Sequence, residues 1–221
     1  ANLEGADLSS ANLERAYLLS ANLEGAKLKG TVLPKVYFLF NNTILLGPGL
    51  NLEGVNLEGA DLTGINLSDA MLKGANLTGT NLSGANLTGV NLRGADLIGA
   101  NLERASLPWA KLEGVNLSGA NLEGVDLYGR NLEGAKLEGA KLKGADLTSA
   151  NLEGADLSSA NLERAYLRSA NLTGANLEGA YLSSADLERA KLFDVDLSKA
   201  KLGFVLRTMY ILGRFDKVKY R

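Results

Sequence analysis

The stretch ANLEGADLSSANLERAYLRSANLTGANLEG, residues 150–179, decides the fold. A leucine stands at every fifth position, and the same beat runs from Leu52 to Leu202 without a miss. Two places before each leucine the residue is usually alanine, and directly before it usually asparagine or aspartate. The two that follow are usually polar or glycine. A period of five fits neither the two-residue alternation of a strand nor the 3.6-residue turn of a helix. A helix is disfavoured on two further grounds. Its leucines would walk around the axis without forming a stripe, and each interior glycine would cost it about 1 kcal/mol.

The pattern suits a chain that turns a corner once per repeat. Each side is a short extended segment whose leucine and preceding small residue face inward. A turn that tolerates glycine closes it. The Asn or Asp between the two inward residues points outward or bonds the nearby backbone. Such sides close into a solenoid whose coils stack in parallel at about 4.8 Å. Alanine is needed because a narrow tube cannot hold two large side chains per side. Each buried leucine contributes roughly 1.5–3 kcal/mol relative to exposure, and only stacking lets a repeat bury it.

The motif A-(D/N)-L-x-x stands letter for letter in ANLEGADLSSANLER at residues 1–15 and in ANLTGANLEG at 170–179. It resembles the motif of the pentapeptide-repeat family and covers most of the chain. The resemblance implies an all-β fold, a right-handed quadrilateral parallel β-helix with four repeats to a coil. Residues twenty apart would then stack in columns, and about ten coils would make a rod of roughly 50 Å at the spacing above. The resemblance also implies varied functions. A minority of members protect DNA gyrase from inhibitors by imitating the shape and charge of DNA, and in those the corresponding C-terminal end dimerises.

The 221 residues suit one domain, divided as a β-helix over 1–202, interrupted by an insertion at 41–49, and a C-terminal cap over 203–221. Ala1 opens inside a repeat, so something upstream or a partner is expected to cover the edge of the first coil. After Phe38 the frame breaks, and the next leucine of the unbroken run is Leu52. The segment VYFLF-NN-TILLG-PG between them reads as two β-rich runs around a two-residue Asn41-Asn42 turn, followed by a Pro48-Gly49 turn. A hairpin or bulging loop is expected here. It would pack its apolar face on the solenoid wall or, through Phe40, Ile44 and Leu45, offer a protrusion to a partner.

Residues 203–221 abandon the period. Phe204, Met209, Leu212 and Phe215 supply an apolar surface, and the spacing of Val205, Met209 and Leu212 is helical. A partly helical cap is expected, with those four aromatic and aliphatic residues as its packing or dimer contacts.

Departures within the run are informative. Arg130 occupies an inward position. A buried unpaired guanidinium is very costly, so its side chain must reach out or the coil must open. Trp109, Tyr128 and Tyr166 fall on one side in the four-sided model and form the candidate interaction surface. Glu113, Glu133 and Glu153 share a column with Lys73 and Arg93, and Lys143 lies between Glu123 and Glu163 in another. Asn131, Asn151 and Asn171 share a column that reads as a structural amide ladder.

The net charge is −2. The last nineteen residues carry +4, leaving the repeat body at −6, which is mild for a nucleic-acid mimic. Nucleic acid is therefore disfavoured as a partner. Histidine and cysteine are both absent, which removes disulfides, zinc sites and most nucleophile–base pairs. No cofactor loop is present and no run is long enough to span a membrane. The reading is a non-enzymatic rigid scaffold or protein-interaction module with an unidentified protein partner, including a homodimer through a coil end. The alternative is a DNA-mimicking protector of gyrase. A third reading, an engineered consensus-like repeat, is favoured by the regular leucines and opposed by the insertion and tail.

Overall fold

The computed structural model describes residues 2–13, 16, 18, 21, 23, 25–32, 37–40 and 44–203. The repeat beginning at Lys141 shows how the local sequence makes a corner. The Ala145 amide donates to the Leu142 carbonyl at 3.0 Å and closes a turn around Lys143 and Gly144. Gly144 has φ +66, a left-handed conformation that glycine adopts without steric cost. The residue before the leucine completes the corner. Asp146 Oδ1, for example, accepts the Thr148 amide at 2.9 Å. That amide lies at the first position of the turn, so the recurrent Asn or Asp satisfies a donor that the turn itself leaves over.

Coils then stack by main-chain bonding. The Asn171 amide donates to the Ala150 carbonyl at 2.9 Å, and the Leu152 amide to the Asn171 carbonyl at 2.7 Å. Asn151 and Asn171 are thus parallel partners, twenty residues apart. The same spacing recurs from Asn51 with Met71 to Tyr181 with Lys201, and in Asp7 with Lys27 nearer the start. Four five-residue sides therefore make one coil. Each straight segment is so short that the ladder consists of isolated bridges. The amide column also forms: Asn171 Nδ2 donates to Asn151 Oδ1 at 3.0 Å, and Asn151 Nδ2 to Asn131 Oδ1 at 2.9 Å.

The interior is a continuous column of leucines flanked by alanine and valine. Leu132 through Ala170 at the inward positions are fully shielded from solvent. No helix occurs among the described residues, and no helix there is long and apolar enough to cross a membrane.

Among the described residues two regular strands occur, β1 (Phe38–Phe40) just before the expected insertion at 41–49 and β2 (Ile44–Leu46) within it. They pair antiparallel with Phe40 opposite Ile44. That register leaves positions 41–43 between the strands and corrects the expected two-residue Asn41-Asn42 turn. Pairing of Phe40 with Ile44 leaves three positions between them, where a two-residue turn would pair residues 40 and 43. Leu39 and Leu45 oppose each other against the core, and Phe40, Ile44 and Leu46 pack on it as well. Gly47 follows β2 beneath the Tyr37 ring, where no side chain would fit. Gly49 ends the second turn at φ +66. The expected cap at 203–221, apart from Gly203, lies outside the described residues, as do Phe204, Met209, Leu212 and Phe215.

Candidate functional site

The side of the rod built from repeats 106–110, 126–130, 146–150 and 166–170 carries the aromatic residues. Trp109 is the second central residue of its turn, Tyr128 the first on the next coil, and Tyr166 precedes the leucine two coils further on. Their exposures are 71%, 57% and 53%. They share a side but not a column. Trp109, the chain's one tryptophan, adopts φ +57. This conformation costs a bulky side chain of order 1 kcal/mol or more, and at this exposure little packing offsets it.

The hairpin residues are placed differently. Phe40 and Ile44 are half-buried against the core, and Leu45 is 3% exposed. A surface role for Leu45 is therefore corrected. The run Ile44-Leu45-Leu46 is uniformly apolar, so its sequence does not distinguish inward from outward residues. Among the described hairpin residues the exposed one is Phe38.

Arg130 does both things that its inward position demands. Its side chain reaches out far enough for Nε to donate to the Tyr128 carbonyl at 3.1 Å. The ladder on that side is also interrupted. In the preceding coil the Gly89 amide donates to the Pro108 carbonyl at 2.8 Å, and in the following one Gly129 donates to Thr148 at 2.9 Å. Among the described residues, no corresponding bond joins Arg104 to Glu123, Leu107 to Asp126, Trp109 to Tyr128 or Leu112 to Asn131. Beyond that gap the same two coils remain joined, by Leu102 to Asn121 at 2.9 Å and Gly114 to Glu133 at 3.0 Å. The sequence identifies the inward arginine but not the extent of the gap.

The charged columns are mixed in sign, with Lys73 and Arg93 ahead of Glu113, Glu133 and Glu153 in one of them. Arg93 donates to Glu113 Oε1 at 2.7 Å, and Asn131 Nδ2 donates to the same oxygen at 3.3 Å. Glu113 Oε2 is buried without a hydrogen-bond partner among the described residues. Arg168 pairs with Glu188 and Asp186. No group of carboxylates among the described residues is arranged to hold a metal ion. Burial pushes the Glu113 carboxyl up, but hydrogen bonds from Arg93 and from its own backbone outweigh burial and leave it below the ordinary value of 4.5. A depressed folded-state pKa stabilises the fold above the ordinary value, and that stabilisation is lost as pH falls through the depressed value. Arg93→Ala is expected to raise the Glu113 pKa, read by side-chain carboxyl NMR titration, and to make the variant's stability fall less steeply below pH 4.5.

A twenty-residue coil of four turns around a buried leucine interior defines a β-helical repeat protein. The chain belongs to the pentapeptide-repeat family, whose model, Pentapeptide repeats, matches eight copies over residues 1–33, 51–89, 91–129, 126–164 and 160–199. Among solved structures it is 34% identical to HetL, a pentapeptide repeat protein involved in heterocyst differentiation regulation in the cyanobacterium Nostoc sp. strain PCC 7120. That match covers 92% of this chain and 90% of HetL, with a TM-score of 0.39. It is also 34% identical to a pentapeptide repeat protein of the Arabidopsis thaliana thylakoid lumen, over 46% of this chain and 68% of that one, with a TM-score of 0.37. Identity to full-length QnrB1, a plasmid-mediated fluoroquinolone resistance protein, is 20% over 97% of this chain and 100% of that one, with a TM-score of 0.27. No curated protein sequence matches the chain.

Proposed function

We propose that the protein is a non-enzymatic rigid scaffold that binds another protein through the side bearing Trp109, Tyr128 and Tyr166. The observation that carries this reading is Trp109. A bulky aromatic residue, 71% exposed, is held at a positive φ that favours glycine. Exposed aromatics on a rigid backbone are the common anchors of protein interfaces. The hairpin is an inert packing element, because Phe40, Ile44 and Leu45 turn toward the core. The organisation that goes with this reading is a β-helix over 1–202, interrupted at 41–49, and a cap over 203–221. Phe204, Met209, Leu212 and Phe215 are the proposed contacts of a homodimer through the coil end, and a light-scattering mass of one chain would overturn that dimer.

Trp109→Gly separates binding from folding. Relief of the left-handed strain is expected to leave stability unchanged or raise it by about 1 kcal/mol. Capture of the partner, read by photo-crosslinking from position 128, is expected to fall at least about tenfold, the loss of one aromatic anchor. Equal crosslinking by the variant and the parent would reject the aromatic side. The gyrase-protecting alternative predicts relief of quinolone inhibition in a supercoiling assay. Pairing of Glu113 with Arg93 and of Glu188 with Arg168 breaks the continuous negative strip that reading needs, so no relief is expected.

A further inference from the structure

We infer that Arg130 is a built-in wedge that holds one side of the rod open between two coils, giving a stiff solenoid a compliant seam in mid-length. Arg130 continues the inward column of Ala110, Ala150 and Ala170, where alanine side chains are shielded from water. Its guanidinium cannot stay among leucines unpaired, so it leaves through the nearest wall. The exit lies toward the preceding coil, because Nε bonds the Tyr128 carbonyl. In complete coils that carbonyl accepts the amide nineteen residues earlier, as Thr148 does from Gly129. Here the amide would be that of Trp109.

The asymmetry supports this direction. On the other face of the Arg130 coil the ladder is intact: Leu127 donates to Asp146 at 2.8 Å, Leu132 to Asn151 at 2.7 Å, and Asn151 to the Arg130 carbonyl at 2.9 Å. A small apolar cavity of about 10 Å³ lies inside the same coils, lined by residues including Leu102, Leu107, Leu112, Leu122 and Leu127.

Other causes do not account for the gap. Non-glycine residues at positive φ leave the ladder whole elsewhere, since Ser149 at φ +57 still donates to Arg168 at 2.8 Å. Pro108 lacks an amide hydrogen, but ladder donors occupy other repeat positions, and its carbonyl accepts normally from Gly89. Inward valine is tolerated too, because Val90 sits between complete coils.

The test is hydrogen exchange on the full chain, with Arg130→Ala beside the parent. In the parent, the amides of Arg104, Leu107, Trp109, Leu112, Asp126 and Asn131 are expected to exchange about 100-fold faster than those of residues 144, 147, 149, 152, 166 and 171, as locally open main chain does. Arg130→Ala restores the repeat consensus and is expected to slow the six by at least about tenfold. Trp109→Gly should leave them fast, because the turn residue is not the cause. Equal protection of both sets in the parent, or exchange unchanged in a folded Arg130→Ala, would overturn the wedge.

Discussion

Leu142→Ala is expected to lower the free energy of unfolding by about 3 kcal/mol, within the roughly 2–5 kcal/mol seen for buried leucines. Leu142 has no solvent exposure. The cost depends on whether the walls can close over the missing side chain, and here they cannot. The Leu142 amide is bonded to Asn161 at 2.8 Å and the Leu122 amide to Lys141 at 2.8 Å. The coil is thus clamped above and below at the ladder spacing. Because each coil is held chiefly by its neighbours, the cavity also weakens both interfaces it touches. Guanidinium denaturation followed by circular dichroism checks this as a lowered midpoint. An unchanged midpoint would mean that the leucine does not fill the tube.

Ala150→Arg is expected to cost about 3 kcal/mol or more and to create a second seam. Ala150 is fully buried one coil beyond Arg130, and its surroundings are intact. Gly129 donates to Thr148, Leu132 to Asn151 and Asp146 to Val125, all within 3.0 Å. A new guanidinium there would have to leave by the same route and break those bonds. Each contributes about 0.5–1.5 kcal/mol net, to which desolvation of the charge is added. Fast exchange should appear at the Gly129, Leu132 and Asp146 amides. In the double variant with Arg130→Ala, the loosened stretch should move one coil along, which exchange mapping would detect directly.

Much of this architecture is legible in the sequence because it is periodic. The five-residue beat fixes which side chains face inward. The Asn or Asp that precedes most leucines announces the local bond it makes, as Asp146 shows with Thr148. The existence of a hairpin is legible in VYFLF-NN-TILLG, but its register is not. Several pairings bury apolar residues in such a run, since Leu39, Phe40, Ile44, Leu45 and Leu46 all pack in or against the core. Arg130 stands out as an inward cation. The length of ladder it opens depends on where the guanidinium leaves the tube, a property of packing that spacing does not encode. The exposed aromatics are visible as residues on one side. The strain at Trp109 emerges only with its φ of +57.

The most direct check on the twenty-residue coil uses the absence of cysteine from the chain. Lys141 and Asn161 are parallel partners on adjacent coils, and neighbouring strands lie about 4.8 Å apart, within reach of a disulfide. The variant carrying Lys141→Cys and Asn161→Cys is expected to close an intramolecular disulfide on mild oxidation. The control carrying Lys141→Cys and Asp156→Cys, fifteen residues apart and on different sides, should stay reduced. Linkage in the control but not in the twenty-residue pair would contradict the four-sided coil and everything built on it.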